Sequence, residues 1–120
     1  MKGFLEFKQM KFAKLSAMTN GWFIGDFEPS LHKSSDFEIA VQRFVAGELA
    51  EWHVHRVATE YTVIVSGQAK INAEMVAEGD IFIIAPGEGA EFYAITDVIT
   101  VVVKTPSVRG DKYLKSHQPC

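Results

Sequence analysis

Turn signals cut this chain before any segment reaches helical length. Asn20-Gly21, Glu28-Pro29-Ser30, Ala46-Gly47, Gly67-Gln68, Glu78-Gly79-Asp80 and Pro86-Gly87-Glu88-Gly89 punctuate it. The intervals are roughly 8–12 residues, and the stretches between are rich in β-branched and aromatic residues. Phe37–Val45 alternates with period two, putting Phe37, Ile39, Val41 and Val45 on one face with Arg43 in the same row. Such a chain predicts short strands and excludes a helical bundle. The expected fold class is all-β, a sandwich or barrel of antiparallel strands.

The 120 residues suit one domain, and the 48% apolar content is enough to build a core. Expected strands cover Trp22–Phe27, Phe37–Val45, Glu51–His55, Glu60–Ser66, Ala69–Ala73, Ile81–Ile84, Glu91–Ile95 and Val98–Lys104. The Ala69–Ala73 strand is expected to pair back across the Gly67-Gln68 turn. A short edge strand is expected near Phe4–Gln9. Leu31–Asp36 reads as a loop, and the polar segment from Thr105 to Cys120 as a partly ordered tail.

A net charge of −3 with both signs mixed gives no footprint for nucleic acid and no basic face for a membrane. Cys120 is the single cysteine, so no internal disulfide forms. No apolar run approaches membrane-spanning length, and the N-terminus has no apolar signal core. A cytoplasmic protein is expected.

The residues with chemistry are concentrated between Gly47 and Gly67. His53 and His55 are separated by one residue, and Glu60 follows. On a strand, positions i and i+2 project to one side, so the two imidazoles point together. On a helix they would stand about 200° apart and could not share a ligand. A turn over Arg56–Thr59 returns the chain and brings Glu60 beside them. Imidazoles and a carboxylate suit iron, nickel, copper, zinc or manganese, and three such ligands leave positions open for water or substrate. The bland alternative is a surface or core histidine pair with no ligand.

The pattern Gly47-x5-His53-x-His55-x4-Glu60-x6-Gly67 resembles the first motif of the cupin superfamily at every defining position. The resemblance implies a double-stranded β-helix, or jelly-roll, barrel over about residues 37–104. N-terminal strands would lie in 1–36 and a tail in 105–120. It also implies metal ligands His53, His55 and Glu60 inside the barrel mouth, and a homodimer formed through sheet faces. The second motif is degenerate. Gly79 and Gly87 match, but Ala85 takes the first proline position, Ala90 the histidine and Ala94 the asparagine. Alanine cannot bind metal, so the expected set shrinks to three residues. Glu91 replaces the lost ligand only if a bulge after Gly89 shifts the register.

If Glu60 points inward, so do Thr62 and Ile64, with Ala90 and Phe92 on the far side. Arg43 either meets an anionic ligand or snorkels to the rim. The expected pocket therefore comprises Thr62, Ile64, Ala90, Phe92 and Arg43 around the polar cluster. The expected cofactor is one divalent ion, Zn, Fe, Mn or Ni. The expected partner is a small polar metabolite such as a sugar derivative. A ligand-binding accessory protein with no metal is the alternative. No catalytic group beyond Glu60 stands out.

Overall fold

The computed structural model describes residues 10–114. The expected edge strand near Phe4–Gln9, and the positions of His117 and Cys120, lie outside the described residues. A 3-10 turn at Leu15–Ala17 precedes eleven strands: β1 (Trp22–Gly25), β2 (His32–Lys33), β3 (Glu38–Phe44), β4 (Leu49–Val54), β5 (Thr59–Ser66), β6 (Gln68–Ile71), β7 (Glu74–Ala77), β8 (Ile81–Ile84), β9 (Gly89–Ala94), β10 (Val98–Thr105) and β11 (Tyr113–Leu114). They form two sheets, in the orders β2-β1-β3-β10-β5-β8 and β11-β4-β9-β6-β7. The all-β, two-sheet architecture agrees with the sequence reading. No helix among the described residues is long and apolar enough to cross a membrane.

β10 is the spine of the larger sheet. Its six consecutive β-branched residues, Val98 to Val103, suit an extended strand with neighbours on both edges. It pairs with β3 on one side and β5 on the other, both antiparallel. These pairings set up rungs across the inner face. One rung carries Glu38, Lys104, Glu60 and Ile84; the next Ala40, Val102, Thr62 and Phe82; a third Gln42, Thr100 and Ile64. The core packs around and below the third rung, where Ile64, Ala69, Phe92, Ala94 and Val98 meet Phe44, Ala50, Ile71, Val76 and Phe82.

Three expectations are corrected. The inner face of β3 carries Glu38, Ala40, Gln42 and Phe44, while Arg43 is exposed. The apolar row read from the sequence packs on the outer side, because the 3-10 turn and β1 cover part of that face with their own apolar residues. Met18, Phe23 and Leu31 group with Val41 there. Second, β6 does not pair back on β5. Gly67, at φ +93°, carries the chain across to the other sheet, where β6 pairs with β7 and β9. Third, the segment after Thr105 is built into the fold. Ser107 and Asp111 are buried, and β11 adds to the edge of β4.

Outward on the larger sheet, Tyr61, Val63, Ile81, Ile83, Val101 and Val103 form an apolar surface. It is the kind of surface that the expected sheet-face homodimer would need.

Candidate metal centre

The two sheets enclose a cavity of roughly 210 Å³ above the core. His53 and His55 enter it from the end of β4, and Glu60 from the start of β5 in the opposing sheet. Glu60 thus faces the histidines across the barrel rather than standing beside them in one sheet. One ligand atom from each residue lies within 4.8 Å of the other two, the one such group among the described residues. The imidazole rings are 5.1 Å apart and nearly perpendicular, at 76°.

Main-chain carbonyls orient both rings. His53 Nδ1 lies 3.0 Å from the Glu51 carbonyl oxygen, and His55 Nδ1 contacts the Asp111 carbonyl oxygen. A carbonyl only accepts, so each Nδ1 carries the proton and donates. In the neutral ring each Nε2 is left with its lone pair. His55 Nε2 is 3.5 Å from Glu60 Oε1, and Thr62 Oγ1 donates to Glu60 Oε2 at 3.1 Å. A hydrogen-bonded Nδ1 with a free Nε2 is the usual outer-shell arrangement of a metal-binding histidine.

The electrostatics favour the ligand forms. Burial lowers the His53 pKa, outweighing the Glu51 hydrogen bond that would raise it. The imidazole therefore stays neutral further into acid than a free one. Burial alone would raise the Glu60 carboxyl, but the hydrogen bond and charge of His55 in its protonated form, then Thr62 and Lys104, carry it below its ordinary value. Glu60 is thus an anion at neutral pH.

The side opposite His53 carries no ligand. Ala90 is its direct cross-strand partner. Glu91 is exposed, its N–H held by Asn72 Oδ1 at 2.9 Å. The irregularity in this strand pair falls in β4, between Ala50 and His53, so β9 keeps its alternation and sends Glu91 outward. Thr62, Ala90 and Phe92 line the cavity as expected. Ile64 points inward but is fully buried in the core beneath it, and Arg43 lies outside. Parity placed Ile64 inside but could not tell pocket from core.

Sequence reasoning missed Asp111, Lys104, Lys112, Trp22, Gln42 and Thr100. The Asp111 carboxylate accepts from the N–H groups of Arg56, Val57 and Ala58 at 2.8, 3.1 and 2.9 Å. It therefore ties down the loop that joins His55 to Glu60. Burial would raise the Asp111 pKa, but these amide donors and His55 hold it below the usual range. Lys104 Nζ pairs with Glu38 Oε1 at 2.9 Å, while Ser107 Oγ donates to Glu38 Oε2 at 2.6 Å. Lys104 also lies 4.9 Å from the Trp22 ring centre. Alternation along β10 from Thr100 through Val102 could have placed Lys104 inside; no sequence signal marked Asp111.

No protein-family model matches the sequence, and no curated protein matches it significantly. Solved structures do share the fold. A conserved protein with a double-stranded β-helix domain from Klebsiella pneumoniae is 25% identical, with a TM-score of 0.62 over 68% of this chain and 71% of its own. An RmlC-like cupin from Shewanella frigidimarina is 21% identical, with a TM-score of 0.59 over 64% of this chain and 71% of its own. Oxalate decarboxylase from Bacillus subtilis, which has Mn(II) centres, is 19% identical. Its TM-score is 0.61 over 72% of this chain and 27% of its own.

Proposed function

We propose that this chain, which has the double-stranded β-helix fold of the cupin superfamily, holds a divalent metal ion through His53, His55 and Glu60 and there binds or transforms a small polar metabolite. The observation that carries the reading is the pair of imidazoles locked as Nδ1–H donors to main-chain carbonyls. Their Nε2 lone pairs are left to converge with one carboxylate. Two neutral nitrogens and one anionic oxygen suit zinc, iron, nickel or manganese. The Mn(II) centres of the Bacillus subtilis relative support including manganese. When bound, such an ion supplies a Lewis acid that polarises a carbonyl or hydroxyl oxygen.

The remaining work falls to the chain itself. Thr62 fixes the Glu60 carboxylate, and the Asp111 carbonyl fixes the His55 ring. Phe44, Phe82, Phe92 and Ile71 wall the cavity and limit water. The Ala90 side leaves room for a ligand next to the centre.

Ala90 also favours a second reading, in which the same residues hydrogen-bond a ligand without metal. Elemental analysis of protein purified without chelator separates the two. The first reading expects one ion per chain, lost in His53→Ala. Protein that stays metal-free after reconstitution, while still binding small molecules, overturns it in favour of the second.

A further inference from the structure

The cavity has two polar ends with an apolar stretch between them. At one end, on the rung of Glu38, Lys104 and Glu60, stand the metal-centre residues, with the exposed Lys112 at the edge on the His53 side. At the other, two rungs deeper, stand Gln42 and Thr100. Four residues along β10 separate Lys104 from Thr100, about 13 Å at the rise of an extended strand. Thr100 is 2% exposed, and its hydroxyl has no hydrogen-bond partner. A buried hydroxyl without a partner is rare, and here it belongs to a residue lining the cavity.

Charge sets the class of ligand. Glu38 and Lys104 cancel as an ion pair, which leaves the Glu60 carboxylate inside and the exposed Lys112 at the cavity edge. A divalent ion bound to His53, His55 and Glu60 therefore leaves one net positive charge inside a partly apolar cavity, and the exposed Lys112 adds a second at its edge. Such a site holds an anion and disfavours a neutral sugar. A cavity of roughly 210 Å³ suits a small occupant.

Resting on the metal-centre reading, we infer that the cavity takes a short carboxylic acid bearing a hydroxyl or carbonyl oxygen near its far end, about six carbons long, so that with a contact at each end it spans the distance between the two polar ends. Its carboxylate sits at the metal and Lys112 end. Its distal oxygen partners the Thr100 hydroxyl and the Gln42 amide. Lys104 supports the charged end while remaining paired with Glu38.

Calorimetric titration of the full, Mn(II)-loaded chain tests this. The probes are gluconate, 6-hydroxyhexanoate and 5-oxohexanoate against their neutral counterparts sorbitol, hexane-1,6-diol and 6-hydroxyhexan-2-one, with inorganic phosphate as a further arm. The expected result is that at least one acid binds, ten times or more tighter than its neutral counterpart and tighter than phosphate. Lys112→Met is expected to weaken that acid at least threefold. Thr100→Val is expected to weaken it about two- to tenfold while leaving the thermal midpoint of the unliganded chain equal or higher, since it removes an unpaired buried hydroxyl. Metal-loaded protein that binds none of the acids, or that binds acids and neutral analogues equally, overturns the inference and leaves the metal centre standing. So does insensitivity to both substitutions, or a preference for phosphate. If the chain retains no metal, the metal-centre reading fails instead. Lys112-dependent acid binding by that metal-free chain would still uphold the ligand class, and its absence would overturn both.

Discussion

Replacing Asp111 by alanine strips the loop between the second histidine and the glutamate of its anchor. Three main-chain donors lose a charged acceptor, those of Arg56, Val57 and Ala58. Ala58 is 3% exposed, so its N–H stays buried and unpaired, which costs about 1–3 kcal/mol. Arg56 and Val57 are exposed, and water replaces the carboxylate there at about 0.5 kcal/mol each. The sum is about 3 kcal/mol, a large share of the 5–15 kcal/mol typical of a small domain. At roughly 4 °C per kcal/mol for a chain of this length, the midpoint of thermal unfolding falls by about 12 °C. Asp111→Asn keeps one acceptor oxygen and should fall by about half as much.

The main-chain contact from Asp111 to His55 survives both substitutions, so the ring keeps its orientation and only the loop loosens. The loosened loop joins His55 to Glu60, so metal affinity should drop by up to about 10-fold, less than the 10- to 100-fold that follows loss of a direct outer-shell partner. The pH dependence has a definite sign. Asp111 has a lowered pKa in the folded chain. Its contribution is therefore fully present above the unfolded value of about 3.9 and is lost as pH falls through the folded value. The gap in stability between wild type and Asp111→Ala should shrink with acid over that window. Urea unfolding at several pH values, with metal competition against a chromophoric chelator, measures all of this. A loss under about 1 kcal/mol at neutral pH, with metal affinity unchanged, would refute the anchoring argument.

Two further outcomes follow from the same geometry. Ala90 lies directly opposite His53 and lines the cavity, so Ala90→His should add a third imidazole as a fourth ligand and raise metal affinity at least tenfold, about 1.4 kcal/mol; chelator competition showing no gain would mean the side chain cannot reach the centre. Gly67 crosses between sheets at φ +93°, and a Cβ there would stand 2.1 Å from the Asp97 carbonyl oxygen. Gly67→Ala should therefore cost about 2–4 kcal/mol, read as a lowered urea midpoint, and an unchanged midpoint would contradict that close approach.

How far the chain could be read depended on whether the information was local. Alternation and turn signals are properties of neighbouring residues, so β3, β5, β8, β9 and β10 emerged close to their observed limits. The spacing of His53 and His55 fixed their common side through strand geometry alone. Lys104 was equally accessible by parity from Thr100 and Val102, and passed as an ordinary strand-end lysine. Arg43 misled because alternation tells which residues share a face and not which face turns inward. That was decided by the outer cover formed around Val41, a contact between segments far apart in sequence.

By itself, then, the sequence determined an all-β chain and a trio of His53, His55 and Glu60 turned to one side, with Ala90 where the family resemblance implied a fourth ligand. Only the tertiary structure decided that Glu60 comes from the opposing sheet. It also decided that Asp111, 56 residues beyond His55, fixes the ring and loop. The remaining decision was that Thr100 stays buried with its hydroxyl unpaired. The physical reason is one of range. Strand periodicity is written in steps of two residues, whereas hydrogen-bond partners and desolvation depend on which distant segments the closed barrel brings together.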